Sequence, residues 1–135
     1  MLRMARWTSL GGAALLALCA GCGGPCGSAE DRLVPASELP CSMTSSEGVW
    51  ESHPLPPSAE EQCYWLEVRG CSRYEVEHPL GRTPNVVLGY TSFDSNGSFS
   101  TPGSGNSFVV EEASETTVVI RNSQNQLFYL RLVLD

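Results

Sequence analysis

Leu127-Phe128-Tyr129-Leu130-Arg131-Leu132-Val133-Leu134 is the stretch that decides the fold. In an extended chain, Phe128, Leu130, Leu132 and Leu134 fall on one face, and Leu127, Tyr129, Arg131 and Val133 on the other. Side chains alternate in this way only in a strand, because successive Cβ atoms point to opposite sides of the pleat. An even apolar face opposite a face that tolerates arginine describes a half-buried strand.

The same period recurs upstream. Tyr64, Leu66 and Val68 alternate with Trp65, Glu67 and Arg69, and Tyr74 and Val76 with Glu75 and Glu77. Val86, Leu88 and Tyr90 alternate with Val87 and Gly89. Phe108 and Val110 flank Val109, and Val118 and Ile120 flank Val119. Turn chemistry separates the runs. Asp94-Ser95-Asn96-Gly97 and Asn122-Ser123-Gln124-Asn125 read as hairpin turns, and Thr101-Pro102-Gly103-Ser104-Gly105-Asn106 as a loop that no strand contains. Between Ala59 and Arg69, Ser58-Ala59-Glu60-Glu61 forms a capping box. A full helix to Gly70 competes there with a short helical turn followed by a strand. The strand formers in Tyr64-Trp65-Leu66-Glu67-Val68 favour the second. The expected fold is all-β, a small antiparallel sandwich or open barrel of six to seven strands over residues 58–135.

Residues 22–57 have another character. Pro25, Pro35, Pro40, Pro54, Pro56 and Pro57 stand among glycines and serines with few large apolar side chains. Such composition buries too little surface to offset the entropy of ordering, so a disordered tether is expected. Thr44-Ser45-Ser46-Glu47 would cap at most one helical turn there. As a flexible coil, a tether of roughly 35 residues has an r.m.s. span of about 30–35 Å.

The first 21 residues have the zoning of an export signal. Arg3 and Arg6 lie in a positive start without acids, and Thr8 to Ala20 is uncharged and mostly apolar. Thirteen residues are too few for the roughly 20 that a bilayer core requires of a helix. Leu18-Cys19-Ala20-Gly21-Cys22 resembles the lipobox of bacterial lipoprotein precursors, with Cys19 where that family usually carries an aliphatic residue. The resemblance implies cleavage before Cys22, acylation of Cys22 by lipid chains such as palmitate, and membrane attachment in the cell envelope. Gly23 after the anchor, where Asp is absent, implies by analogy with two-membrane bacteria the outer membrane over the inner.

Cysteine parity bears on the same point. Of Cys19, Cys22, Cys26, Cys41, Cys63 and Cys71, cleavage and acylation at Cys22 leave four, an even set. Exported proteins usually pair their cysteines, so Cys26, Cys41, Cys63 and Cys71 are disulfide candidates with three connectivities open. Pairing Cys26 with Cys41 would close a loop in the tether. Pairing Cys63 with Cys71 would contribute roughly 2.5 kcal/mol by loop entropy.

Beyond the signal, six arginines and no lysine stand against fifteen acids, a net charge of −9. That surface repels nucleic acid and anionic head groups. No Cys-x-x-Cys or His-x-x-x-His pair offers a zinc site, and Asp94-Ser95-Asn96-Gly97 lacks the closing acid of a calcium loop, so neither metal nor other cofactor is expected. No Gly-x-Ser-x-Gly elbow occurs, and His53 and His78, each before proline, are the only imidazoles. Catalysis is therefore not expected.

Two short matches complete the reading. Thr91-Ser92-Phe93-Asp94-Ser95-Asn96-Gly97-Ser98-Phe99 is similar to a hairpin of carboxypeptidase-regulatory-like β-sandwich domains, which are non-catalytic accessory modules. Ser104-Gly105-Asn106-Ser107-Phe108 looks like the inhibitory loop of lipoprotein lysozyme inhibitors, with Phe108 in place of tyrosine. That resemblance implies that Ser104, Gly105 and Phe108 belong to an inhibitory loop, with Ser104 and Gly105 seated in an enzyme cleft. The leading expectation is a lipid-anchored envelope protein that displays a non-catalytic β-domain for binding or structure, with an envelope protein as partner. An acidic inhibitor of a cationic hydrolase such as lysozyme is the alternative, and a small envelope hydrolase the third reading.

Overall fold

The computed structural model describes residues 26–27, 30–103 and 105–135. These are all-β, with ten strands in two sheets. The strands are β1 (Glu30–Val34), β2 (Met43–Thr44), β3 (Trp50–Glu51), β4 (Leu66–Val68), β5 (Ser72–Glu77), β6 (Val87–Ser92), β7 (Thr101–Pro102), β8 (Val109–Ala113), β9 (Thr117–Arg121) and β10 (Phe128–Leu134). One sheet has the order β1-β5-β9-β8. The other has β2-β3-β10-β6-β7, with β4 also paired to β10.

β10 organises the second sheet. One edge pairs with β6 over Tyr129–Leu134, and the other is shared by β4 at Phe128–Leu130 and β3 at Val133–Leu134. Phe128, Leu130, Leu132 and Leu134 are all buried, as the alternation requires. They pack against Tyr74 and Val76 of β5 and Val118 and Ile120 of β9 in one core. The period-two signal thus sets both facing layers.

Four strands lie outside the six runs that alternation marks, and three of them fall in the stretch expected to be tether. Val34, Leu39 and Trp50 are at most 2% exposed and belong to the core. Low average hydropathy hides three well-spaced large side chains, and two-residue strands such as β2 and β3 are too short to alternate. Thr44-Ser45-Ser46-Glu47 starts no helical turn. Gly48, at φ 83°, instead closes a hairpin between β2 and β3, with its amide donating to Ser45 O at 3.0 Å. Ser45 Oγ accepts from the Glu47 and Val49 amides. β1 pairs with β5 in parallel, the one departure from antiparallel order among these sheets. Pro102, placed by sequence in a loop, lies in β7, at an edge where its missing N–H costs no ladder bond. Residues 59–69 resolve into a 3-10 turn at Glu61–Cys63 followed by β4.

β6 shows a phase reversal. Val86 and Leu88 face outward, 43% and 50% exposed, while Gly89 is buried and Val87 packs on the core. The cause is Phe108, whose ring occupies the space that a Cβ at Gly89 would need.

Candidate binding surface

The four cysteines form two nested bridges, Cys26–Cys71 and Cys41–Cys63, with Cα separations of 5.0 and 5.3 Å. Cys26 joins the β4–β5 turn, and its Sγ lies 3.3 Å from Ser123 O of the β9–β10 loop. Cys41 clamps the 3-10 turn before β4. Cys22, the expected lipid site, and Ser104 lie outside the described residues.

The strand registers place three connections at one end of the sandwich: the β4–β5 turn, the β6–β7 loop (93–100) and the β9–β10 loop (122–127). Asn122, fully buried, ties two of them together. Its Nδ2 donates to Arg69 O at 3.0 Å and Gln126 O at 2.8 Å, and its Oδ1 accepts from the Gln124 amide at 2.9 Å. Gly70 presses against the Asn125–Gln126 backbone, where an added Cβ would approach to 2.7 Å.

The β6–β7 loop is braced from below. The Trp65 amide donates to Ser95 O at 2.8 Å, and the Trp65 ring fills the space beneath Gly97 (φ 86°). Ser92 Oγ donates to Ser98 O at 2.5 Å and accepts from the Asp94 amide at 3.0 Å. On this rigid base Phe93 is 73% and Phe99 95% exposed. Phe99 also has φ 53°, a left-handed conformation that costs a residue with a Cβ about 1–2 kcal/mol. Neither packing nor backbone preference accounts for a phenylalanine there. Phe99 stands in the connection of the antiparallel β6–β7 pair, just before β7. The available sequence signal was a pair of aromatic residues inside a run of Asp, Ser, Asn and Gly.

A second feature is a groove of about 290 Å³ between β6–β7 and β8, bordered by Leu88, Tyr90, Pro102, Val109 and Val110 over Phe108. Among the described residues Tyr90 is its one ionisable lining residue, so the groove suits apolar contact. Gly105 is exposed on its rim. Phe108, expected in an exposed inhibitory loop, is instead 6% exposed and seated on Gly89 and Gly103. Two glycines make a slot that an aromatic ring fills, and no alternation reports this.

The ionisable groups are held elsewhere. Ser52 Oγ accepts from the Leu132 amide and contacts His53 Nδ1, both at 2.8 Å. Burial and then the nearby Arg131 charge lower the His53 pKa to about 4. Ser52 is 2% exposed, so this serine–histidine contact has no open approach. Arg131, 4% exposed, pairs with Glu51 at 2.8 Å, donates to His53 O at 2.9 Å and lies over the Tyr90 ring. His78, lowered by burial, donates from Nε2 to Ser114 O at 3.2 Å. Glu111 bridges Arg73 and Arg121, whose hydrogen bonds and charges hold its carboxyl below the usual range. Among the described residues no cluster of three or more His, Cys, Asp or Glu could hold a metal.

What fold and site define is a doubly bridged two-sheet β-domain with apolar contact surfaces. No family model, curated protein or solved structure matches the chain.

Proposed function

We propose that this chain is an envelope lipoprotein, cleaved before Cys22 and acylated there, whose β-domain serves a binding or structural role without catalysis. The observation that carries the reading is the cysteine set. All four cysteines beyond Cys22 are paired within the domain, so an acyl group on Cys22 leaves no odd thiol in the mature chain. Two disulfides suit an oxidising compartment, which is where an export signal would deliver the protein. Several acyl chains on one residue give stable anchoring, where one chain is marginal. The non-catalytic reading is supported by the occupied, buried Ser52–His53 pair and by the groove lining.

The test is cell fractionation with a metabolic acyl label. Cys22→Ser should lose the label and leave the membrane, while Cys19→Ser keeps both. Retention of label in Cys22→Ser would overturn the assignment.

A further inference from the structure

We infer that the end of the sandwich carrying the Cys26–Cys71 bridge rests on the lipid surface, with Phe93 and Phe99 entering the interfacial layer. This rests on the acylation proposed at Cys22.

Chain length is the first ground. Cys26 is four residues beyond Cys22, and four residues reach at most about 14 Å when fully extended. The bridge fastens Cys26 to Cys71 in the β4–β5 turn. The link between anchor and domain is therefore these few residues, not a coil of some 35 residues spanning about 30 Å. So short a link keeps this end of the domain beside the bilayer at high effective concentration.

Charge is the second ground. Segments 93–100, 103–108 and 122–127 contain Asp94 as their only charged residue, in a chain with fifteen acids. Around them, Arg69, Arg73 and Arg121 pair with Glu67, Asp31 and Glu111, and Glu30 stands beside Arg69. The opposite end presents Glu38, Glu47, Glu115 and Asp135 on or beside its connections. A domain repelled by anionic head groups would approach a bilayer by these loops, which carry a single charge, and would do so best on zwitterionic lipid.

Apolar exposure is the third. Phe93, Phe99 and Leu127, 73%, 95% and 40% exposed, all belong to connections at this end. Phe99 keeps its strained φ on a loop that Trp65 and Ser92 hold rigid. Aromatic side chains presented this way gain their burial in the head-group layer, and they supply the second contact that strengthens a lipid anchor.

The test uses the full acylated protein in phosphatidylcholine vesicles, with and without brominated acyl chains. In Phe99→Trp, the new indole should be blue-shifted and quenched by the brominated lipid. Trp50 and Trp65, 1% and 3% exposed, should be unaffected. A flexible Gly/Ser insertion between Gly24 and Pro25 leaves the bridge intact and should reduce the quenching, as should Cys26→Ala with Cys71→Ala if that variant folds. Intact mass reports acylation separately. An acylated Phe99→Trp protein whose introduced indole stays unquenched overturns the docking and leaves the lipoprotein reading standing, with this end facing a protein or water. Quenching unchanged by the insertion overturns the role of the short link. A Cys22 without acyl chains overturns both readings.

Discussion

Gly89 and Phe108 form one packing unit: the Phe108 ring lies directly where a side chain on residue 89 would stand. Gly89→Ala should therefore destabilise the domain by about 1–3 kcal/mol through overpacking. Phe108→Ala should cost about 3–5 kcal/mol through the cavity it leaves. Because both changes act on the same space, the double variant should cost less than the sum of the two, measured by urea unfolding. Strict additivity would show that the two residues do not share that contact.

The bridges should act as staples of different strength. Cys26–Cys71 spans 45 residues and Cys41–Cys63 spans 22, which on loop entropy are worth about 4 and about 3 kcal/mol. Non-reducing peptide mapping should recover these two pairs and neither Cys26–Cys41 nor Cys63–Cys71. Replacing Cys26 and Cys71 together by Ala should lower the denaturation midpoint more than replacing Cys41 and Cys63.

His53 predicts an acid-sensitive stability. Its pKa falls from 6.5 to about 4 in the fold, so between these values the unfolded chain binds a proton that the folded chain refuses. Stability is complete above about pH 6.5 and declines as pH falls toward 4, by up to about 3 kcal/mol, with no further loss from this group below that. His78, also lowered by burial, adds a decline of the same sign, and Glu111 adds one at lower pH. His53→Gln should flatten the pH 4–6.5 slope in chemical denaturation. Arg131→Met should raise the His53 pKa only in part, because burial is the larger cause.

Phe99→Asn should stabilise the isolated domain by about 1 kcal/mol. Asparagine tolerates φ 53° better than phenylalanine, and an exposed ring gives up no packing. A calorimetric midpoint that falls on this substitution would show that Phe99 serves the fold.

Much of the fold was legible because six of its strands lie in runs that alternate, and Phe128 to Leu134 carries the alternation without a break. The stretch 30–57 was not legible. Its contributions to the core are the isolated residues Val34, Leu39 and Trp50, which a composition average dilutes. Alternation gives β6 the wrong inward face because glycine carries no apolar signal, although Gly89 is the residue that admits Phe108. The disulfide partners were legible only as a set of four, since pairing depends on which turns meet in space. The prominence of Phe93 and Phe99 depends on a loop brace by Trp65, whose burial beneath Gly97 has no local pattern.

The nesting of the two bridges bears on how the protein is made. If the chain is exported amino end first, as the proposed lipoprotein would be, Cys26 and Cys41 emerge before Cys63 and Cys71. An oxidant that joins thiols in order of appearance would produce Cys26–Cys41, which the native fold does not contain. Reaching the native pairs then requires that early bond to be reopened by thiol–disulfide exchange. Maturation of this small domain would accordingly depend on an isomerase as well as an oxidase, and cells lacking the former should accumulate it in scrambled form.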